Sequence, residues 1–211
     1  MKNKFLLLGW SVLTWFRVPK RLVREIDATN KEVLQKEELW QPGGFIERQS
    51  ALGALRFGKA YTMAYGGCGL IALYNALVAL GSRPSSDSFL GLTADLQRKG
   101  VAWGGKYGTH PTAILKWLKK NCYVVKRLGI SDADFAYNET EYNVFIVTVL
   151  NGPKLTCGMH TVCITKEQGK FTLHNGPVPG PHKTLLEAVS ASSTQGAKAI
   201  YAMGIRRSDE A

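Results

Sequence analysis

The chain has 211 residues, 45% of them hydrophobic and 20% charged, and a formal net charge of +11. That length suits one large domain, or one domain with an arm, and the apolar share is enough for a true core. The composition excludes a disordered, repetitive or low-complexity chain, and the four cysteines are too few for a disulfide scaffold and lack paired CxxC metal spacing. Free thiols in a reducing compartment are expected. The positive balance suits nucleic acid, an anionic membrane surface, or solubility alone.

Residues 1–24 hold Lys2, Lys4, Arg17, Lys20, Arg21 and Arg24 and no acidic residue. The apolar run between the basic groups, Phe5–Phe16, is shorter than the about 20 residues that span a bilayer. Three readings stay open. The leading one is a helix packed on the domain and ended by Pro19. The second is a helix in an anionic membrane interface, which Trp10, Trp15 and the basic border suit. The third is a secretion signal, against which Arg17–Arg21 stand where a cleavage site needs small residues. The expected location is cytoplasmic, peripheral at the inner membrane face on the second reading, with secretion open. Residues 1–44 are read as a basic, apolar helical arm and 45–211 as the domain.

Thr29–Glu32 has the form of a capping box for a helix reaching Trp40, stopped by Pro42-Gly43-Gly44. Residues 45–64 show no strong period. Tyr65-Gly66-Gly67-Cys68 then leads into Ile71, Tyr74, Leu77 and Val78 at helical spacing, with Gly81 as the C-cap. A helix is expected at 87–99. Gly104–Gly108 lacks the spacing of a phosphate loop and reads as a turn, with a substrate-facing turn as one reading. Thr109 is expected to cap a helix to Lys120 whose lysines form a solvated face. After it the period changes. Strands are expected at 123–128, 143–150, 160–165, 171–175 and 198–205, with a hairpin turn near Glu167–Lys170 and a short helix at 184–192. The fold class is therefore α+β, a helical first half packed on an antiparallel sheet from the second half.

Cys68 at a helix N-terminus suits a nucleophile, because unpaired N–H groups and the positive end of the dipole favour a thiolate. Gly67 leaves room for a substrate backbone. A thiolate needs a base, and the base needs a group to fix its tautomer. His110 and His182 read as exposed. His160 opens a strand after a loop, where a side chain can face a cleft. Asn175 shares its parity about the hairpin turn, so it is expected to accept from one ring nitrogen while the other turns to Cys68. The plain alternatives are a packed thiol, a core histidine on a carbonyl, and a turn residue before Gly176-Pro177.

Gly67-Cys68-Gly69 opening an apolar helix, Met159-His160-Thr161-Val162 opening a strand, and Leu173-His174-Asn175-Gly176 ending the next resemble the papain-like cysteine peptidase superfamily. The nearest branch is similar to the bacteriocin-processing, double-glycine-leader peptidases and their bacterial relatives, over roughly residues 55–206 in motif order and spacing. The resemblance implies a papain-like fold, Cys68 as nucleophile, His160 as base, Asn175 as its orienter, and a peptide or protein substrate. That family usually has an oxyanion-hole Gln shortly before the cysteine; Thr62 stands there. Hydroxyls of Thr62, Tyr61 or Tyr65 are the candidates to replace it. The expected activity is a thiol peptidase or amidase. A catalytically inactive binding module and an acyltransferase or transglutaminase-like enzyme are the alternatives. No metal or cofactor is expected. Nucleic acid is disfavoured as a partner because the basic residues outside 1–24 are scattered.

Overall fold

The computed structural model describes residues 18–152 and 157–207. The first described helix, α1 (Lys20–Lys36), follows Pro19, so Pro19 begins a helix here. Its apolar stripe buries Val23 and Ile26 in the same core as Leu70 and Leu73. Thr29, expected to cap a new helix, is inside α1, and its Oγ1 donates to the Glu25 carbonyl. Tertiary burial on both sides of it carries the helix through the local capping signal. Residues 1–17, the first part of the arm expected at 1–44, lie outside the described residues.

A short ladder, β1 (Arg56–Phe57) with β2 (Tyr61–Thr62), precedes α2 (Met63–Gly66) and α3 (Cys68–Ala79). Every residue of α3 from Gly69 to Leu77 is buried. A helix apolar all round belongs at the centre of a domain. Its end is the expected one: Gly81 has φ +80°, Gly81 N–H donates to Val78 and Ser82 N–H to Leu77, which closes a Schellman motif. The helices α4 (Ser86–Lys99) and α5 (Pro111–Lys120) pack beside it. The cap of α5 is His110 rather than Thr109: its Nδ1 accepts from the Thr112 N–H, and the ring is buried, not exposed.

The second half forms β3 (Val124–Leu128), α6 (Asp132–Asn138), β4 (Val144–Leu150), β5 (Met159–Glu167), β6 (Lys170–His174), α7 (Leu185–Ser190) and β7 (Lys198–Arg206). The strands make one antiparallel sheet in the order β3-β7-β4-β5-β6. The molecule is thus α+β, with seven α-helices among the described residues. Helix α6 was not expected; its signal was Ser131-Asp-Ala-Asp134, which forms a full capping box.

Alternation along the strands builds two cores. Ile146, Cys163 and Met203 face α3, whereas Phe145, Ile164 and Leu173 pack with Phe135 of α6 and Leu185 of α7. β4 is central and covered on both faces, so all seven of its residues are buried. The β5–β6 turn uses Gln168 and Gly169, both at positive φ, as a tight two-residue hairpin requires. Among the described residues, no helix is long and apolar enough to cross a membrane.

Candidate active site

The site forms where β6 stops short of its neighbour. His174 pairs with Cys163, and beyond it Asn175 turns into the left-handed region at φ +60°. The start of β5, residues 159–161, therefore loses its partner on that side. The N–H groups of Phe171 and Leu173 point outward, to His182 and Pro179. In an antiparallel ladder the intervening residues then bond to β5, and the N–H of Thr161 is directed at the vacated edge. The Cys68 sulfur lies near that edge, where the backbone N–H groups of Thr161 and Gly69 favour its thiolate. The N-terminus of α3 thus comes to the unpaired start of β5.

His160 is half-buried beside the thiol. Its Nε2 lies 2.8 Å from the backbone carbonyl oxygen of Asn175. With Nε2–H donated there, Nδ1 is left to Cys68. The electrostatics of the pair run in opposite directions. Burial raises the Cys68 thiol pKa, but the hydrogen bond and charge of His160, with the Thr161 and Gly69 N–H groups, bring it below the ordinary value. Burial lowers the His160 pKa, but the Cys68 thiolate and the Asn175 carbonyl raise it above the ordinary value. Such coupling favours a thiolate–imidazolium pair, and its titration belongs to both groups together. The contrast with Cys163 is direct: it is buried without a cationic neighbour, and burial drives its pKa far upward. It is an inert packing thiol.

Asn175 is in the site, though its side chain does not hold the histidine. The amide Nδ2 donates to Gln49 Oε1 at 3.2 Å, and Oδ1 accepts from the Gln49 N–H at 3.0 Å. The carbonyl takes the orienting role expected of the amide. Shared parity about the hairpin turn assumes a strand through Asn175; β6 ends at His174, and the left-handed corner beyond it brings the carbonyl, not the amide, to the ring.

A strap, residues 45–48, leading into a 3-10 turn that starts at Gln49, secures this corner. Phe45 stacks on the His174 ring at 3.9 Å between centroids. Ile46 exchanges two hydrogen bonds with the buried Asn75 side chain of α3. Glu47 accepts from His174 Nδ1 at 2.7 Å and from the Asn175 N–H at 3.2 Å. His174 Nε2 meets Thr165 Oγ1 at 3.0 Å. Gln49 also donates Nε2 to the carbonyls of Met63 and Ala64, just before Cys68. Burial raises the Glu47 carboxyl pKa, but its bond and charge contact with His174, and the Asn175 N–H, hold it below the usual value. Glu47, Gln49 and His174 were not singled out from the sequence. The available signal was the alternation Phe45-Ile46-Glu47-Arg48-Gln49, whose odd residues turn to the hairpin and whose Ile46 turns to the core.

A cleft of about 480 Å³ opens at Cys68, lined by Tyr65, Tyr107, Gly108, Thr109, Met159 and Thr161, with Gly66, Lys106 and Gly158. The glycine loop 104–108 thus forms one wall, in keeping with the substrate-facing reading. It needs glycine: a Cβ at Gly105 would come 2.8 Å from Gly58 Cα, and Gly108 has φ +66° with Gly66 O 3.1 Å from its would-be Cβ. Of the oxyanion candidates, Tyr65 lines the cleft and stacks on Tyr61. Tyr61 and Thr62 are not among the described lining residues; Thr62 lies in the β1–β2 ladder opposite Arg56. Gly67 serves packing, since a Cβ there would lie 2.4 Å from Met63 Sδ. The Cys68 N–H stands at the first position of α3.

No protein-family model matches the chain, and no curated protein or solved structure does. Among the described residues no group of three His, Cys, Asp or Glu is placed to hold a metal ion.

Proposed function

We propose that the chain is a thiol peptidase or amidase of papain-like type. One observation carries this: Cys68 opens α3 and lines a cleft beside the His160 ring, whose Nε2 lies 2.8 Å from the Asn175 carbonyl, and the two groups shift each other's pKa in the directions that favour a thiolate and an imidazolium. Cys68 Sγ attacks the carbonyl carbon of a peptide amide, and the N–H of Cys68 takes the oxyanion. His160 gives its proton to the leaving amine, forming an acyl-enzyme. It then takes a proton from the water that releases the acid. Asn175 holds the imidazole through its carbonyl, and Tyr65 hydroxyl is the proposed second oxyanion donor.

The test is selective labelling. Cys68 reacts with iodoacetamide and with E-64 near neutral pH well ahead of Cys122, the exposed free thiol. Labelling at the rate of Cys122 rejects the reading.

A second reading, a binding module that uses the same cleft without turnover, draws on one observation. The Gln49 amide is committed to Met63, Ala64 and Asn175, and no side-chain amide is among the described residues lining the cleft. Under it, Cys68→Ala keeps its cellular effect; under the enzyme reading the effect is lost. With either reading goes a cytoplasmic location, and residues 1–24 are the proposed contact with an anionic membrane. Flotation with anionic vesicles at low and high salt, with and without those residues, tests that contact.

A further inference from the structure

We propose that Glu47 is a positioning residue for His160, acting through the Asn175 corner. The inference rests on the thiol-peptidase reading, because it assigns the group that orients that reading's base. A backbone carbonyl is a weaker guide than a carboxylate or amide side chain, since its direction is set by whatever fixes the peptide around it. Here that peptide belongs to a non-glycine residue in the left-handed region. Asparagine enters that region more readily than most L-residues, and what surrounds the peptide decides where its carbonyl points.

Glu47 supplies that constraint from both sides of the turn. One carboxylate oxygen accepts from the Asn175 N–H, and the other from Nδ1 of His174, the residue before it. His174 is itself pinned by Thr165 on the neighbouring strand and by the Phe45 ring on its face. The strap carrying Glu47 is anchored to α3 by Ile46 and Asn75. The helix that delivers Cys68 and the corner that aims His160 are therefore joined through one segment of chain. A carboxylate is the group that fits, because the two N–H donors converge on it and each charge-assisted bond is the stronger for its charge. Its outer side is exposed to water, so the charge is kept at little desolvation cost.

The experiment compares wild type with Glu47→Gln in the full chain. Glutamine keeps the shape but offers one acceptor oxygen for two donors and turns its NH2 at the other. The expected result is a fall of about 10–100-fold in Cys68 alkylation rate at neutral pH, the size typical of outer groups that orient a ligand or base. With a cleaved peptide, kcat falls and KM holds. The acid limb of the alkylation profile moves to higher pH, a readout that mere loosening of the fold would not shift. His160 is followed alongside by its imidazole NMR signals, and its titration in Glu47→Gln differs from wild type. His174→Gln, which leaves the carboxylate on the Asn175 N–H, loses about threefold to tenfold and serves as the milder arm if Glu47→Gln does not fold. A reactive Cys68 with an unchanged profile and unchanged His160 signals in these variants overturns the proposal and leaves the peptidase reading standing. An unreactive wild-type Cys68 with a His160 titration that still responds to Glu47 overturns the peptidase reading and upholds the positioning role.

Discussion

Nε2 of His160 sits 2.8 Å from the backbone carbonyl of Asn175, while the Asn175 side-chain amide turns away to Gln49. The contact with the ring that was expected of the asparagine side chain is thus made by main chain. Asn175→Gly keeps the carbonyl and suits φ +60°, whereas Asn175→Ala keeps the carbonyl but strains the corner. The glycine variant is expected to retain Cys68 alkylation within about tenfold and the alanine variant to lose more, since a displacement of about 1 Å at a catalytic group costs about 10²-fold. Equal, complete loss in both would return the role to the amide.

His160→Ala should expose the origin of the lowered thiol pKa. Without the imidazole, burial still raises the pKa and only the Thr161 and Gly69 N–H groups oppose it. The alkylation limb, below 9.0 in the wild type, therefore moves up, and each unit removes about tenfold of the thiolate at pH 7. The wild-type cleavage profile has a second limb. The imidazolium, raised above its ordinary 6.5, loses its proton as pH rises through that higher value, and leaving-group protonation fades. Peptide turnover should be bell-shaped, while alkylation keeps only the lower limb.

Gly108→Ala separates access from reactivity. The added Cβ would lie 4.0 Å from Cys68 Sγ and 3.1 Å from Gly66 O, at φ +66°. It narrows the cleft without touching His160. Peptide kcat/KM is expected to fall by about 10-fold or more, as steric misplacement of a bound chain does. Iodoacetamide, which is small, should react within about threefold of the wild-type rate; parallel assays on one preparation decide it.

Asn75→Leu tests the anchor of the strap. Asn75 is fully buried and meets both the N–H and the carbonyl of Ile46. Removing it leaves two buried backbone groups unpaired, at about 1–3 kcal/mol each. Denaturant unfolding should show a loss of about 2–5 kcal/mol, and at sub-denaturing concentrations the Cys68 alkylation rate should fall with it. Unchanged stability would mean that the strap is held elsewhere.

Much of this arrangement was legible in local pattern. The β-branched run at 143–150, the turn after Glu167, Gly81 past a helical stripe and Pro111 inside another each specify their own neighbourhood, and each element formed there. Cys68 at a helix start and His160 at a strand start were readable for the same reason: helix and strand termini carry local signals. Thr29 shows the limit. Its box is a good cap in isolation, yet burial of Val23, Ile26 and Asn30 along one face keeps α1 continuous across it. His110 shows another. Nothing in its neighbours distinguishes an exposed ring from the buried cap it becomes.

The sequence by itself determined most of the elements, the α+β class, and the two residues whose chemistry is intrinsic, a thiol on a dipole and an imidazole beside a loop. Tertiary structure decided how they are held. The vacant edge of β5 and the Asn175 carbonyl in place of its amide came from the fold, as did Glu47 and Gln49 closing on the corner across 126–128 residues of chain. Hydrogen bonds of that span are set by which surfaces meet. A local pattern names the donors and acceptors but does not say which of them will face each other across the fold.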